Sequence, residues 1–218
     1  MEQFLAFSLG EIPYVAITLM IAFTVHEFAH AYVAYKFGDP TAKNQGRLTL
    51  NPIHHLDPIG TILIFIAGFG WARPVPVNRF FFKNPRLAGI LVSIAGPISN
   101  LLMASLGFLI WYAMVGTGVA SGLPAFVPDF LNMFIHLNLV LFIFNLIPLP
   151  PLDGYRIVED LMPKSIRPKL TQYEAYGSVI FLILVITPLD QYTIGPIFRV
   201  VLPIVANGLG NFFSGIFL

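Results

Sequence analysis

The chain has 218 residues, of which 56% are hydrophobic and 11% charged, with a mean hydropathy of +0.78. Soluble chains carry about 25% charge, so this composition points to an integral membrane protein with several spans, and a net charge of +1 gives no reason to expect a nucleic-acid partner. There is no cysteine, which excludes disulfides and thiolate-held metal.

Taken in order, the chain opens with Met1-Glu2-Gln3-Phe4, which lacks the basic region of a signal peptide, so the first span is expected to stay in the protein. Ile12 to about Lys36 is long enough to cross a bilayer. Between Ile12 and Tyr35 the only acidic or basic side chains are His26, Glu27 and His30. Gly38-Asp39-Pro40 ends this helix. The polar stretch from Thr41 to Pro58 contains the alternating run Arg47-Leu48-Thr49-Leu50, which predicts a small membrane-associated β element closed by Asn51-Pro52. Ile59 to Ala72 is apolar but only 14 residues long, short for a crossing and suited to a re-entrant segment. Arg73 to Arg86 is basic, holds Pro74, Pro76 and Pro85, and reads as a loop.

No charged residue occurs from Leu87 through Pro128. Its first part, to about Val115, is a span, and the glycines at 116, 118 and 122 mark the turn after it. Phe130 to about Ile147 is the next span. It runs into Pro148, Pro150 and Pro151, which cannot continue a regular helix. Unwound backbone at membrane depth is tolerated only when it is buried in protein or lines a wet cavity. Residues 155–174 are mixed in charge, and Ala175–Leu189 and Ile194–Phe217 complete the apolar segments. The expected fold is an all-α polytopic membrane protein of about five to six transmembrane helices, with a short or re-entrant segment and the small β element, forming one membrane-embedded domain over 1–218.

Every lysine and arginine except Arg199 lies in 36–47, 73–86 or 156–169, and the turn at 116–129 has none. The positive-inside rule assigns the three basic stretches to the cytoplasm and the turn to the outside. His26 then lies about ten residues from the cytoplasmic end of its helix, roughly 15 Å at 1.5 Å per residue. The expected location is a prokaryotic cell membrane with the site nearer the cytoplasmic leaflet.

The chemistry centres on His26-Glu27-Phe28-Ala29-His30. Histidines four apart share one face of a helix and can reach a single zinc ion, and the intervening glutamate can act as general base on a water. A carboxylate inside an apolar span is costly and is usually kept for a function. Two histidines do not complete a catalytic zinc site, which takes three protein ligands and an open fourth position. Asp153 follows the broken end of a span and is the expected third ligand, against the alternative of a turn aspartate in Asp-Gly. His54 and His55 are rivals in a polar loop, and His136, in mid-span, reads as a histidine bonded to a neighbouring helix. Asn100 and Asn145 are polar groups within or at the ends of spans, each a candidate interhelical bridge or donor to an oxyanion or substrate backbone; Gly96 and Pro97 suggest close helix contact and favour the bridge for Asn100, while Asn145, beside the unwound segment, fits both readings.

Together these residues resemble the site-2 protease family of intramembrane zinc metalloproteases. The resemblance rests on the His26–His30 motif, on Gly96-Pro97-Ile98-Ser99-Asn100, and on Asn145-Leu146-Ile147-Pro148 with Leu152-Asp153-Gly154, and it covers about residues 20 to 160. It implies one zinc bound by His26, His30 and Asp153, Glu27 as catalytic base, Asn145 as an aid to the oxyanion or substrate, and a transmembrane protein as substrate. Gly46-Arg47-Leu48-Thr49-Leu50-Asn51-Pro52 resembles the small subgroup without PDZ or CBS domains. Two rival functions are a metal-ion or proton transporter using the same buried cluster, for which the expected repeats are missing, and a haem carrier, which fits badly because axial ligands approach from opposite faces.

Overall fold

The computed structural model describes residues 6–163 and 165–218. Eight α-helices follow in order: α1 (Ile12–Lys36), α2 (Thr41–Asn44), α3 (Pro58–Ala67), α4 (Pro85–Gly116), α5 (Phe126–Asn145), α6 (Asp153–Leu161), α7 (Arg167–Ile186) and α8 (Ile194–Phe217). Five of them, α1, α4, α5, α7 and α8, are long and apolar enough to cross a membrane. Their starts follow local chemistry. Asn84 accepts from Leu87 N and Asp57 from Gly60 N, each ahead of a proline whose fixed φ suits the first turn.

The core is a three-helix bundle of α1, α4 and α5, packed through small residues as expected where hydrophobic burial cannot drive helices together. Ala22, Ala31, Ala34, Ala88 and Ala104 are fully buried. A Cβ on Gly107 would lie 2.6 Å from Ile135 Cγ1, so glycine there lets α4 and α5 approach. Asn100 Nδ2 donates to Asn138 Oδ1 at 3.1 Å across the same pair of helices. Asn138 and Asn100 are fully buried, and the bond satisfies polar groups that hydrocarbon would otherwise strand.

The segment after α1 departs from the β expectation. Among the described residues there is no strand. Residues 47–50 are irregular, and the one β pairing is an isolated antiparallel bridge between Leu56 and Ala72. The reason is local: His55 Nε2 donates to Thr49 O at 2.7 Å, Asn51 N donates to Thr49 Oγ1 at 3.2 Å, and the Arg47 side chain turns inward. The backbone is thereby committed to a turn. The 59–72 region folds back on itself. α3 ends at Gly68 (φ 71°), and the chain returns along the helix. A Cβ on Gly70 would lie 1.9 Å from Gly60 O, and one on Gly60 would lie 2.2 Å from Trp71 O. Two facing glycines thus make a doubled-back hairpin whose entry and exit lie side by side.

After α5 the chain is irregular from Leu146 to Leu152, as the prolines require, and α6 begins pressed against it, since a Cβ on Gly154 would meet Leu146 O at 2.3 Å. α6 ends in a charged cluster at the basic end of the bundle. Asp160, fully buried, accepts at Oδ1 from Arg79 Nη1 and Arg167 Nη2, each at 2.5 Å, and Arg86 Nε donates to Asp160 O at 3.1 Å. α7 leans across this end: Leu170 O accepts from Tyr155 Oη, Gly177 abuts Pro150, and the Phe181 ring packs at a steep tilt against Phe144 and Phe69. α8 runs parallel to α4, because Ile194 joins Ile147 and Leu152 in one cluster while Phe217 O would lie 2.6 Å from a Cβ on Gly116.

Gly70→Ala places a methyl against backbone that cannot yield, so it should destabilise the protein by about 1–3 kcal/mol. The check is the melting temperature of the purified protein in detergent, where an unchanged value would contradict the doubled-back hairpin.

Candidate metal and catalytic site

His26 and His30 project from α1 toward α4 and the start of α6, and both are buried. Each imidazole is held from behind. His26 Nδ1 donates to Asn100 Oδ1 at 2.7 Å, and His30 Nδ1 donates to Val92 O at 2.7 Å. The direction of the second bond follows from chemistry, since a carbonyl oxygen can only accept. The direction of the first follows from Asn100, whose Nδ2 is taken by Asn138 Oδ1 at 3.1 Å and Ala22 O at 3.4 Å, leaving Oδ1 as acceptor. With both protons on Nδ1, both Nε2 atoms carry lone pairs directed to the same point.

The Nε2 atoms lie 3.0 Å apart, and Asp153 Oδ2 lies 3.2 Å from each. Asp153 Oδ2 is buried and has no hydrogen-bond partner among the described residues. Three acceptors therefore face one another with no proton between them, an arrangement that a divalent cation satisfies. Their ligand atoms all fall within 4.8 Å, and two imidazoles with one carboxylate suit zinc. Gly96 supplies the clearance: a Cβ there would lie 2.4 Å from His30 Nε2 and 2.6 Å from His26 Nε2. The same one-sided convergence is incompatible with axial haem ligation, which needs histidines on opposite faces.

Glu27 is buried on the neighbouring face of α1, and its Oε2 accepts from Val75 N at 2.8 Å. Glu27, the two histidines and Asp153 line a cavity of about 660 Å³ whose walls include Phe23, Phe69, Trp71, Phe144 and Phe181. Asn145 also lines it, with Nδ2 donating to Leu141 O of its own helix at 3.0 Å. Asn100 does not reach the cavity. It lies fully buried behind His26, its amide consumed by α1 and α5, so it has no group to offer a substrate. Its surroundings make it a holder of the imidazole ring.

The rival histidines lie elsewhere. His54 is exposed in the loop, and His136 is exposed on α5 with no side-chain hydrogen bond among the described residues. His55 is fully buried. Its Nε2 donates to Thr49 O, and burial pushes its imidazole below the ordinary histidine range, with Arg47 nearby adding to the effect. Sequence reasoning missed the contact of Val75 with Glu27 and the bond of Asn138 to Asn100, neither of which had a signal of its own; at Gly96 it found close helix contact but not the clearance for the two imidazoles.

Two expectations follow. Removing the partner behind His26, by Asn100→Ala, should weaken metal affinity by about 10–100-fold, measured by competition with a chromogenic chelator; unchanged affinity would contradict the orienting role. His55 is held neutral in the fold, so the unfolded state binds more protons below about pH 6.5. Stability should therefore be fully present above that pH and decline on acidification. The decline should be shallower in His55→Asn, read from melting temperature against pH; matching slopes in the two proteins would contradict it.

Comparison with known proteins agrees with this site. Residues 123–187 match the family described as Peptidase family M50. Over 199 residues the chain is 62% identical to "Putative zinc metalloprotease YwhC" of Bacillus subtilis, an alignment covering 90% of each protein. It is 29% identical over 181 residues to "Putative zinc metalloprotease Rip2" of Mycolicibacterium smegmatis and 31% identical over 182 residues to the protein of that name from Mycobacterium tuberculosis, in each case covering 78% of this chain and 65% of the relative. No solved structure matches the chain. The chain therefore belongs to peptidase family M50, the site-2 protease family, and is an integral membrane metalloprotease whose cofactor is zinc.

Proposed function

We propose that this protein hydrolyses peptide bonds in or near the transmembrane segments of membrane proteins, and that residues 1–218 act as one membrane-embedded protease domain in a prokaryotic cell membrane. The observation that carries the reading is the meeting of His26, His30 and Asp153 beside Glu27 on one wall of a largely apolar cavity. His26 and His30 from α1 and Asp153 from the start of α6 would hold one zinc ion. Zinc, when bound, lowers the pKa of a coordinated water toward 7 and polarises a scissile carbonyl.

The remaining work falls to side chains of the chain itself. Glu27 takes the proton of the attacking water and later passes it to the leaving amine. Asn100 and the Val92 carbonyl fix the two rings, so that the lone pairs stay aimed while substrate enters and leaves. Asn145, on the cavity wall, assists the oxyanion or holds the substrate backbone. The aromatic walls fit apolar side chains of a transmembrane segment, which must unwind locally because a helical peptide bond is shielded by its own hydrogen bonds. The basic loops support, under the positive-inside rule, a catalytic end of the bundle at the cytoplasmic leaflet, where water is close.

The test uses a synthetic single-span peptide with a fluorophore–quencher pair. Glu27→Gln should keep zinc and lose about 10²–10⁴-fold in kcat, while His26→Ala and Asp153→Ala should each lose stoichiometric zinc. Cleavage by Glu27→Gln at the wild-type rate would overturn the base assignment, and full zinc content in Asp153→Ala would overturn the ligand set.

A further inference from the structure

The segment from Ala72 to Asn78 passes across the site as an extended strap. In Pro74-Val75-Pro76 only the central residue has an N–H, and it donates to Glu27 Oε2 at 2.8 Å. Alternate residues of an extended chain direct their backbone groups to the same edge, so Arg73 and Val75 share one. On that edge Arg73 is fixed at both backbone groups: its N–H donates to His55 O at 2.8 Å, and its carbonyl accepts from Arg47 Nη2 at 2.6 Å. Further along, Asn78 N donates to Asp39 Oδ2 at 2.6 Å, anchoring the strap to the end of α1.

Arg47 is 5% exposed. Among the described residues it forms no ion pair, and its Nε has no partner. A buried guanidinium is costly unless paired, and here it is directed to one main-chain carbonyl two residues from the amide that binds Glu27. We infer that Arg47 is a positioning residue for hydrolysis: it clamps the strap at Arg73, and the strap in turn holds Oε2 of Glu27 through the Val75 N–H, leaving Oε1 for the water. This inference rests on the reading of Glu27 as general base. The two flanking prolines suit the task. They stiffen the strap and prevent neighbouring amides from competing for the carboxylate. A base tethered at one oxygen keeps the other within reach of the proton it must take, and displacement by about 1 Å at such a centre can cost 10²-fold in rate.

The test compares Arg47→Lys, which loses the guanidinium fork, and Val75→Pro, which loses the amide donor in backbone already shaped for proline. Both are loaded with zinc and assayed on the fluorophore–quencher single-span peptide. Amide hydrogen exchange is measured across residues 72–78. Zinc should stay at the wild-type stoichiometry, kcat should fall about 10–100-fold in both variants with KM within about twofold, and the Arg73 and Val75 amides should exchange faster in Arg47→Lys. A readout independent of both variants comes from the Glu27→Ala protein, in which the Val75 amide should lose protection while the Arg73 amide keeps it. Wild-type kcat in Val75→Pro, a raised KM with kcat intact, or unchanged protection of Val75 in Glu27→Ala would each overturn the inference. A fully active Glu27→Gln protein would instead overturn the base assignment beneath it, so the two failures are separable.

Discussion

Two imidazole nitrogens and a carboxylate oxygen point their lone pairs at one another across about 3 Å, with no proton to share. In a protein interior such a triad is repulsive until a cation joins it. Much of the surrounding structure keeps it assembled. Asn100 and the Val92 carbonyl take the opposite ring nitrogens, Gly96 leaves the space, and Gly154 lets α6 abut the end of α5 so that Asp153 arrives at all. A cation held here would couple its binding to folding, because the side chains that converge come from α1 and α6, more than 120 residues apart in sequence.

The meeting of these side chains was largely legible in the sequence. His26, Glu27 and His30 share one helix, and period alone puts them together. Asp153 was reachable by elimination, as an acid beside a helix that three prolines had broken. The groups behind these residues were only partly legible. Gly96 and Pro97 pointed to close helix contact at Asn100, which is sealed between helices; for Asn145, which lines the cavity, the sequence left bridge and donor open, because helix rotation decides between them. The Val75 amide has no side-chain signature at all. Main-chain donors act from where the backbone is held, here by Arg47, His55 and Asp39, residues that in sequence look like parts of an ordinary polar loop.

The β expectation at 47–50 failed for a related reason. Alternation measures a preference for a pleated, half-buried surface, and it needs a neighbouring strand to act on. Here the nearest extended segment is the strap, and the chain meets it through an arginine side chain and a single bridge instead of a ladder. The arrangement of α8 was equally out of reach. Hydropathy identifies apolar lengths, but the direction in which a helix runs depends on where the preceding segment delivers it. The chain after α7 delivers Ile194 against Ile147 and Leu152, in the segment between α5 and α6 that leads to Asp153.

Asp160 ties α7 to the chain that leaves the strap. A single oxygen, Oδ1, receives Arg79 from the chain just past the strap and Arg167 from the first turn of α7. The other oxygen sits against Gly89 with no partner among the described residues, so it offers neither arginine an alternative berth. α7 is the least covered of the long helices along with α8, and it also forms one side of the cavity through Ser178, Phe181 and Leu182. Glu159 repeats the link, with Arg79 Nη2 at 3.9 Å from its Oε2 and Thr171 of α7 donating to its Oε1 at 2.5 Å. The outer wall of the cavity and the chain leaving the strap therefore share their anchorage on α6, and removing either carboxylate would loosen both.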